Sequence, residues 1–195
     1  MTGRLMPSIN EDEKKYVSFC FSLNKNRKIF FKDVRKFGKI GFYKDSNYLE
    51  NKLGLEPLSK DLNFKSLKEI LTNKKRIIKA LLLDQKYIAG LGNIYVDEAL
   101  WYARINPKEI SNKITDKQIK DLCTGIKKIL KKSIDNNGTS FISFKYAEDK
   151  EGNFAEKLSV FNRKDKPCKR CKTKIKKTVV SQRGTHFCKE CQKFN

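Results

Sequence analysis

Acidic residues are scarce in this chain: 22 Asp+Glu stand against 44 Lys+Arg in 195 residues, a formal charge of +22. Such an imbalance opposes compaction, because like charges repel. Its ordinary use is a polyanionic partner, whose neutralised phosphates release counterions. No apolar run reaches the roughly 18–20 residues of a membrane span. The opening stretch Met1–Lys15 lacks the apolar core and cleavage site of a secretory signal. Both absences argue against a membrane partner and for a cytoplasmic, reducing compartment, where disulfides are disfavoured. Histidine is almost missing too: His186 is the only one, and it is expected on a strand surface and not as a metal ligand. Charge alone leaves RNA or ribosomal binding open beside DNA.

Hydrophobic residues make up 38% of the chain, enough for a modest core. The pattern divides into three regions, 1–60, 61–150 and 151–195, and predicts an α+β fold. The first region reads as β. Tyr16–Leu23 alternates, Asn24–Asn26 signals a turn, and Lys28–Lys32 returns, so a hairpin is expected; Lys39–Tyr43 reads as a third strand. Three strands with apolar residues on both faces need a further layer, so this region reads as the remnant of a β-sandwich. The second region reads as helical, with apolar residues at helix spacing over Leu67–Leu71, Ile77–Leu83, Ile94–Tyr102 and Thr115–Ile134. Asn136-Asn137-Gly138 ends the last of these. The third region carries 13 Lys+Arg against 4 Asp+Glu in 45 residues and has too little apolar content to fold without a staple.

Cysteine supplies the staple. Cys20 and Cys123 stand alone in apolar patterns and read as small buried hydrophobes. The other four form Cys168-x-x-Cys171 and Cys188-x-x-Cys191, with sixteen residues between the pairs. Each CxxC turn presents two thiolates to one side, and two such turns complete a tetrahedron with Zn–S near ~2.3 Å. Four thiolates close the coordination sphere, so one structural Zn2+ is expected. Between the pairs, Lys174–Val180 reads as a strand, Arg183-Gly184-Thr185 as a turn and His186-Phe187 as the return, a hairpin finger with Arg183 at its tip. Arg183 is suited to clamping a phosphate. A second candidate is Ala89–Tyr95, where Gly90 and Gly92 separate two apolar helices and Asn93 opens the second. Free N–H groups there favour an anion, though an ordinary capped helix–helix turn accounts for the same pattern.

Taken together, Lys79–Pro107, Asp33–Gly38 (DVRKFG), Leu53–Ser59 (LGLEPLS), Met1–Leu5 (MTGRL) and the quartet with QRGTHFCKECQ resemble, in order and over nearly the whole chain, the formamidopyrimidine-DNA glycosylase / endonuclease VIII family. The resemblance implies a partial N-terminal β-sandwich, a helix–two-turn–helix domain and a zinc β-hairpin finger. It further implies a base-excision repair protein that removes oxidised purines such as 8-oxoguanine from duplex DNA as glycosylase and AP lyase, working as a monomer. It places Met1, Arg35 and Phe37 in the gap left by an everted base, Asn93, Arg183 and Lys79 on the DNA backbone, and Thr139 and Ser140 in the loop over the lesion. The family's proline nucleophile, its glutamate and its hairpin lysine match no position here and would lie ahead of Met1. The α-amino group of Met1 has a suitable pKa near ~8, but neither Glu11 nor Glu13 falls in a motif that would place an acid beside it. The expectation is therefore a fragment of a glycosylase, one half of a split enzyme completed by a separate N-terminal chain, or a zinc-dependent binder of damaged DNA without activity.

Overall fold

The computed structural model describes residues 3–24, 26–50, 52–139 and 153–195. It divides into two compact units, one of residues 3–45 and one of residues 46–139 with 153–195.

The first unit is a three-stranded antiparallel sheet of β1 (Arg4–Met6), β2 (Val17–Ser22) and β3 (Lys28–Lys32), with β3 in the centre. The expected hairpin is β2–β3, in register from Ser22 opposite Lys28 to Phe19 opposite Phe31, with a bulge before Val17 opposite Lys32. The expected third strand at Lys39–Tyr43 does not form. β1 takes the place beside β3, with Arg4 opposite Lys32 and Met6 opposite Phe30, and residues 39–43 join no ladder. Among the described residues of this unit only Asp33 is buried. Cys20 is exposed, not the buried hydrophobe expected, because among the described residues of this unit no second layer covers edge strand β2. Among the described residues the sheet thus shows the missing cover that its apolar pattern foretells.

The second unit holds the core. A single turn, α1 (Asn47–Glu50), precedes four further helices: α2 (Phe64–Thr72), α3 (Ile78–Leu82), α4 (Asn93–Tyr102) and α5 (Asp116–Ile134). Their ends follow from local chemistry. Asn63 accepts the N–H groups of Lys65 and Ser66 at the start of α2, and Thr115 and Gln118 form a reciprocal capping box on α5. Asn137 and Gly138 take φ of 58° and 84°, and the Gly138 N–H closes onto the Ser133 carbonyl at 2.8 Å, ending α5 in the left-handed manner. Ile119, Leu122, Ile126 and Ile129 of α5 are buried on the stripe their spacing predicts, packed on α4. Cys123 is half-buried beneath Leu62.

The finger strands β4 (Lys176–Val180) and β5 (Arg183–Phe187) pair from Lys176 opposite Phe187 to Val180 opposite Arg183. The turn is therefore Ser181-Gln182, with φ of 49° and 60°, and not Arg183–Thr185 as expected. Gly184 lies inside the ladder opposite Val179. Two left-handed central residues make the turn type that matches strand twist, though neither is the usual glycine or asparagine.

A buried carboxylate joins the finger's leading segment to the helices. Glu98 of α4 is 4% exposed and accepts the backbone N–H groups of Ser159, Val160 and Phe161 at 2.8–3.0 Å. Burial pushes its carboxyl pKa up, and the three N–H groups oppose that rise. Removing the acceptor would leave three donors unsatisfied. Glu98→Ala is expected to reduce the unfolding free energy by about 3–5 kcal/mol, measured by urea titration; a loss under about 1 kcal/mol would show that water replaces the carboxylate.

Candidate DNA interface and metal centre

The four cysteines come together at the base of the finger. Their sulfurs lie within 4.8 Å of one another, with Cys168–Cys191 at 3.9 Å and Cys171–Cys188 at 3.3 Å. A tetrahedron with ~2.3 Å Zn–S bonds has S–S edges near ~3.8 Å, whereas a disulfide needs about 2.05 Å. All four are free thiols, so the donor set fits one structural zinc and no disulfide.

Each knuckle is held from outside. The Cys168 N–H bonds the Thr173 carbonyl at 2.9 Å, and the Lys172 N–H bonds the Cys168 carbonyl at 3.0 Å. The Trp101 indole N–H points at Cys168 Sγ at 3.4 Å, and the Arg170 guanidinium lies 4.2 Å over the Trp101 ring while donating to the Trp101 and Tyr102 carbonyls. At the second knuckle, fully buried Gln192 accepts the Cys188 N–H at 2.8 Å and donates to the Ile105 carbonyl at 2.9 Å. N–H···S donors of this kind stabilise thiolates and orient them for the metal.

The glycine turn is equally built. Gly90 has φ +70°, a conformation that suits glycine, and its N–H bonds the Gln85 side chain at 2.7 Å. Gln85 in turn donates to the Leu83 and Leu91 carbonyls. Gly92 caps α4, and no side chain occupies the cap position, which leaves the first-turn N–H groups of α4 to meet an anion. Asn93 begins α4. Its amide donates to the Gly184 carbonyl at 3.0 Å, and its Oδ1 is buried with no hydrogen-bond partner among the described residues. The turn and the finger tip therefore touch each other directly, and Arg183 stands exposed beside that contact.

Two expectations change here. Lys79, expected on a phosphate, is 0% exposed. Its ammonium pairs with Asp97 at 2.6 Å and also bonds Thr185 Oγ1 and the Gly184 carbonyl, so it faces the finger and not solvent. Burial pushes its pKa down, while the Asp97 carboxylate pulls it up. His186 is 4% exposed and not on the strand surface. Its ring meets Phe161 edge-on at 4.9 Å, and its backbone N–H donates to Asp97 Oδ2 at 2.8 Å. Asp97, Glu98, Thr185 and Gln192 were not singled out from sequence, although two adjacent acids inside the apolar run IYVDEALWY were a readable sign of buried partners.

In the sheet unit, Asp33 organises the DVRKFG loop. Its carboxylate accepts the Arg35 N–H at 3.3 Å and the Gly38 N–H at 2.7 Å. A Cβ on Gly38 would come within 2.4 Å of the Phe31 ring, so any side chain there would have to displace that ring. The loop thereby presents Phe37 at 75% exposure, not packed in a β-core, with the Arg35 guanidinium 5.5 Å from its ring. Thr139 lies at the foot of α5, its hydroxyl 3.3 Å from that of Tyr95, and it forms an antiparallel bridge with Asn153. Met1 and Ser140 lie outside the described residues.

The fold and the cysteine quartet have counterparts in known proteins. The profile of the formamidopyrimidine-DNA glycosylase H2TH domain matches residues 53–145, and that of the zinc finger found in FPG and IleRS matches residues 165–193. The formamidopyrimidine-DNA glycosylase of Chloroflexus aurantiacus is 39% identical over 98% of this chain, which spans 70% of that protein. The crystal structure of the MutM (Fpg) protein of Thermus thermophilus superposes with a TM-score of 0.88 at 31% identity, covering 98% of this chain and 73% of that one. A Lactococcus lactis Fpg variant in complex with Fapy-dG containing DNA superposes with a TM-score of 0.79 at 38% identity, covering 86% of this chain and 63% of that one. The fold and the two profiles define a DNA-repair glycosylase scaffold with a zinc finger, and the chain belongs to the formamidopyrimidine-DNA glycosylase family.

One zinc per chain is expected by elemental analysis. Cys188→Ser should lower that figure severalfold and melt the finger, because metal binding in such sites contributes about 10–16 kcal/mol to folding; full zinc retention would mean that three thiolates suffice.

Proposed function

We propose that this chain holds duplex DNA containing oxidised purines for base excision. The α4 N-terminus at Asn93 and Arg183 of the finger take the DNA backbone, while Arg35 and Phe37 fill the gap left by an everted base. The single observation that carries the reading is the direct bond between Asn93 and Gly184 of β5, the residue after Arg183, which sets two candidate anion sites side by side on one compact unit. The exposed Phe37 supports the second half, since an aromatic wedge offsets part of the few kcal/mol of unstacking. So does the Lactococcus relative, whose complex holds Fapy-dG containing DNA. Thr139, beside Asn153, supplies one foot of the proposed loop over the lesion, with Ser140 following it.

The chemistry asks for more than these residues hold. The family resemblance requires a Pro-Glu pair, and none of the four prolines here precedes a glutamate. We therefore propose that the 195 residues bind damaged DNA but do not by themselves form a Schiff base with it. The sheet, uncovered among the described residues, favours pairing with further β structure over a free-standing binder.

Borohydride reduction during incubation with an 8-oxoguanine duplex is expected to yield no covalent adduct; a trapped adduct would locate the nucleophile inside this chain. Arg183→Ala is expected to weaken binding to damaged and undamaged duplexes alike and to lower the salt slope by about one. Phe37→Ala is expected to reduce preference for the lesion while leaving that slope unchanged. Lesion-selective loss in Arg183→Ala would contradict the phosphate role.

A further inference from the structure

Lys79 is the feature that the DNA-contact reading leaves unexplained. It has no exposed surface, so it cannot touch a phosphate, yet burying an ammonium requires strong compensation. Its three donors are fully used: Asp97 Oδ1 at 2.6 Å, Thr185 Oγ1 at 2.8 Å and the Gly184 carbonyl at 3.2 Å. Asp97 belongs to α4, and the other two follow Arg183 on β5. Thr185 Oγ1 also donates to the Arg183 carbonyl at 2.9 Å. A continuous line of bonds therefore runs from an α4 carboxylate, through the ammonium and a hydroxyl, to the main chain of the exposed arginine. Asn93 adds a second donor to the Gly184 carbonyl at 3.0 Å.

We propose that Lys79 is a positioning residue for Arg183, fixing the finger tip against the α4 N-terminus so that the two act on DNA as one preformed contact. The inference rests on the reading of Arg183 as a phosphate contact. An apolar side chain could fill the same volume. It would leave β5 free to rock about the zinc knuckles, because dispersion contacts have no direction, whereas three hydrogen bonds from one tetrahedral nitrogen fix both distance and rotation. The arginine then needs little ordering when DNA arrives, which is how preorganisation raises affinity without a new contact.

The test is binding of the zinc-loaded chain to an undamaged duplex over a range of salt. Thr185→Val removes the relay hydroxyl with little change of shape, and Thr185→Ser restores it. Lys79→Met risks unfolding by stranding the Asp97 charge, so Lys79→Met/Asp97→Asn is the working variant; the new amide still accepts the His186 N–H. Thr185→Val and Lys79→Met/Asp97→Asn are each expected to lose about one unit of salt slope, as Arg183→Ala does, with one zinc per chain retained. Adding Arg183→Ala to either should cause no further loss, and Thr185→Ser should recover the parental slope. Parental slopes in both variants, or fully additive losses with Arg183→Ala, overturn the proposal while the phosphate reading stands. A parental slope in Arg183→Ala itself overturns that reading, and the proposal with it.

Discussion

Two neighbouring carboxylates on α4 hold the C-terminal part of this chain to its helical body. Glu98 gathers the backbone N–H groups of Ser159 to Phe161, and Asp97 takes the Lys79 ammonium with one oxygen and the His186 N–H with the other. The finger's own apolar cluster is small: Val160, Cys168, Ile175 and Cys188, with Trp101 from α4 packed on it. A module so short of apolar surface cannot order itself by burial alone. Metal coordination closes its base, and the two acids fix where it sits. Removing either acid would strand buried donors, whereas removing an exposed lysine would change little.

That arrangement explains how a strongly cationic chain stays compact. Most of the excess positive charge is on exposed side chains, where water and salt screen it. The few carboxylates that are buried are placed where polar main chain must be covered. The balance visible in the composition is therefore unevenly spread: the surface is left positive for a polyanion, and part of the scarce acid is kept inside.

The elements that depend on near neighbours were legible from sequence. The buried stripe of α5 and its Asn137-Gly138 ending both lie within a few residues of the features that announce them. So do the four metal-site cysteines, whose spacing fixes their chemistry. What could not be read were positions decided by distant partners. Lys79 looked like one more basic contact until Thr185, 106 residues away, claimed it. In place of the expected third strand at Lys39–Tyr43, the distant segment Arg4–Met6 pairs with β3. The finger turn, expected at Arg183-Gly184-Thr185, lies by ladder register at Ser181-Gln182, which keeps Thr185 and the His186 N–H aligned with their partners on α3 and α4. The exposure of Phe37 depends on the loop that the Asp33 carboxylate closes.

The chain has one tryptophan, and its indole N–H rests on a metal-site thiol under a stacked guanidinium. No other indole contributes background. The intrinsic ultraviolet emission of this protein is thus a native optical gauge of the knuckle at Cys168, responsive to whether that sulfur is bare, metallated or oxidised, and readable without attaching any dye.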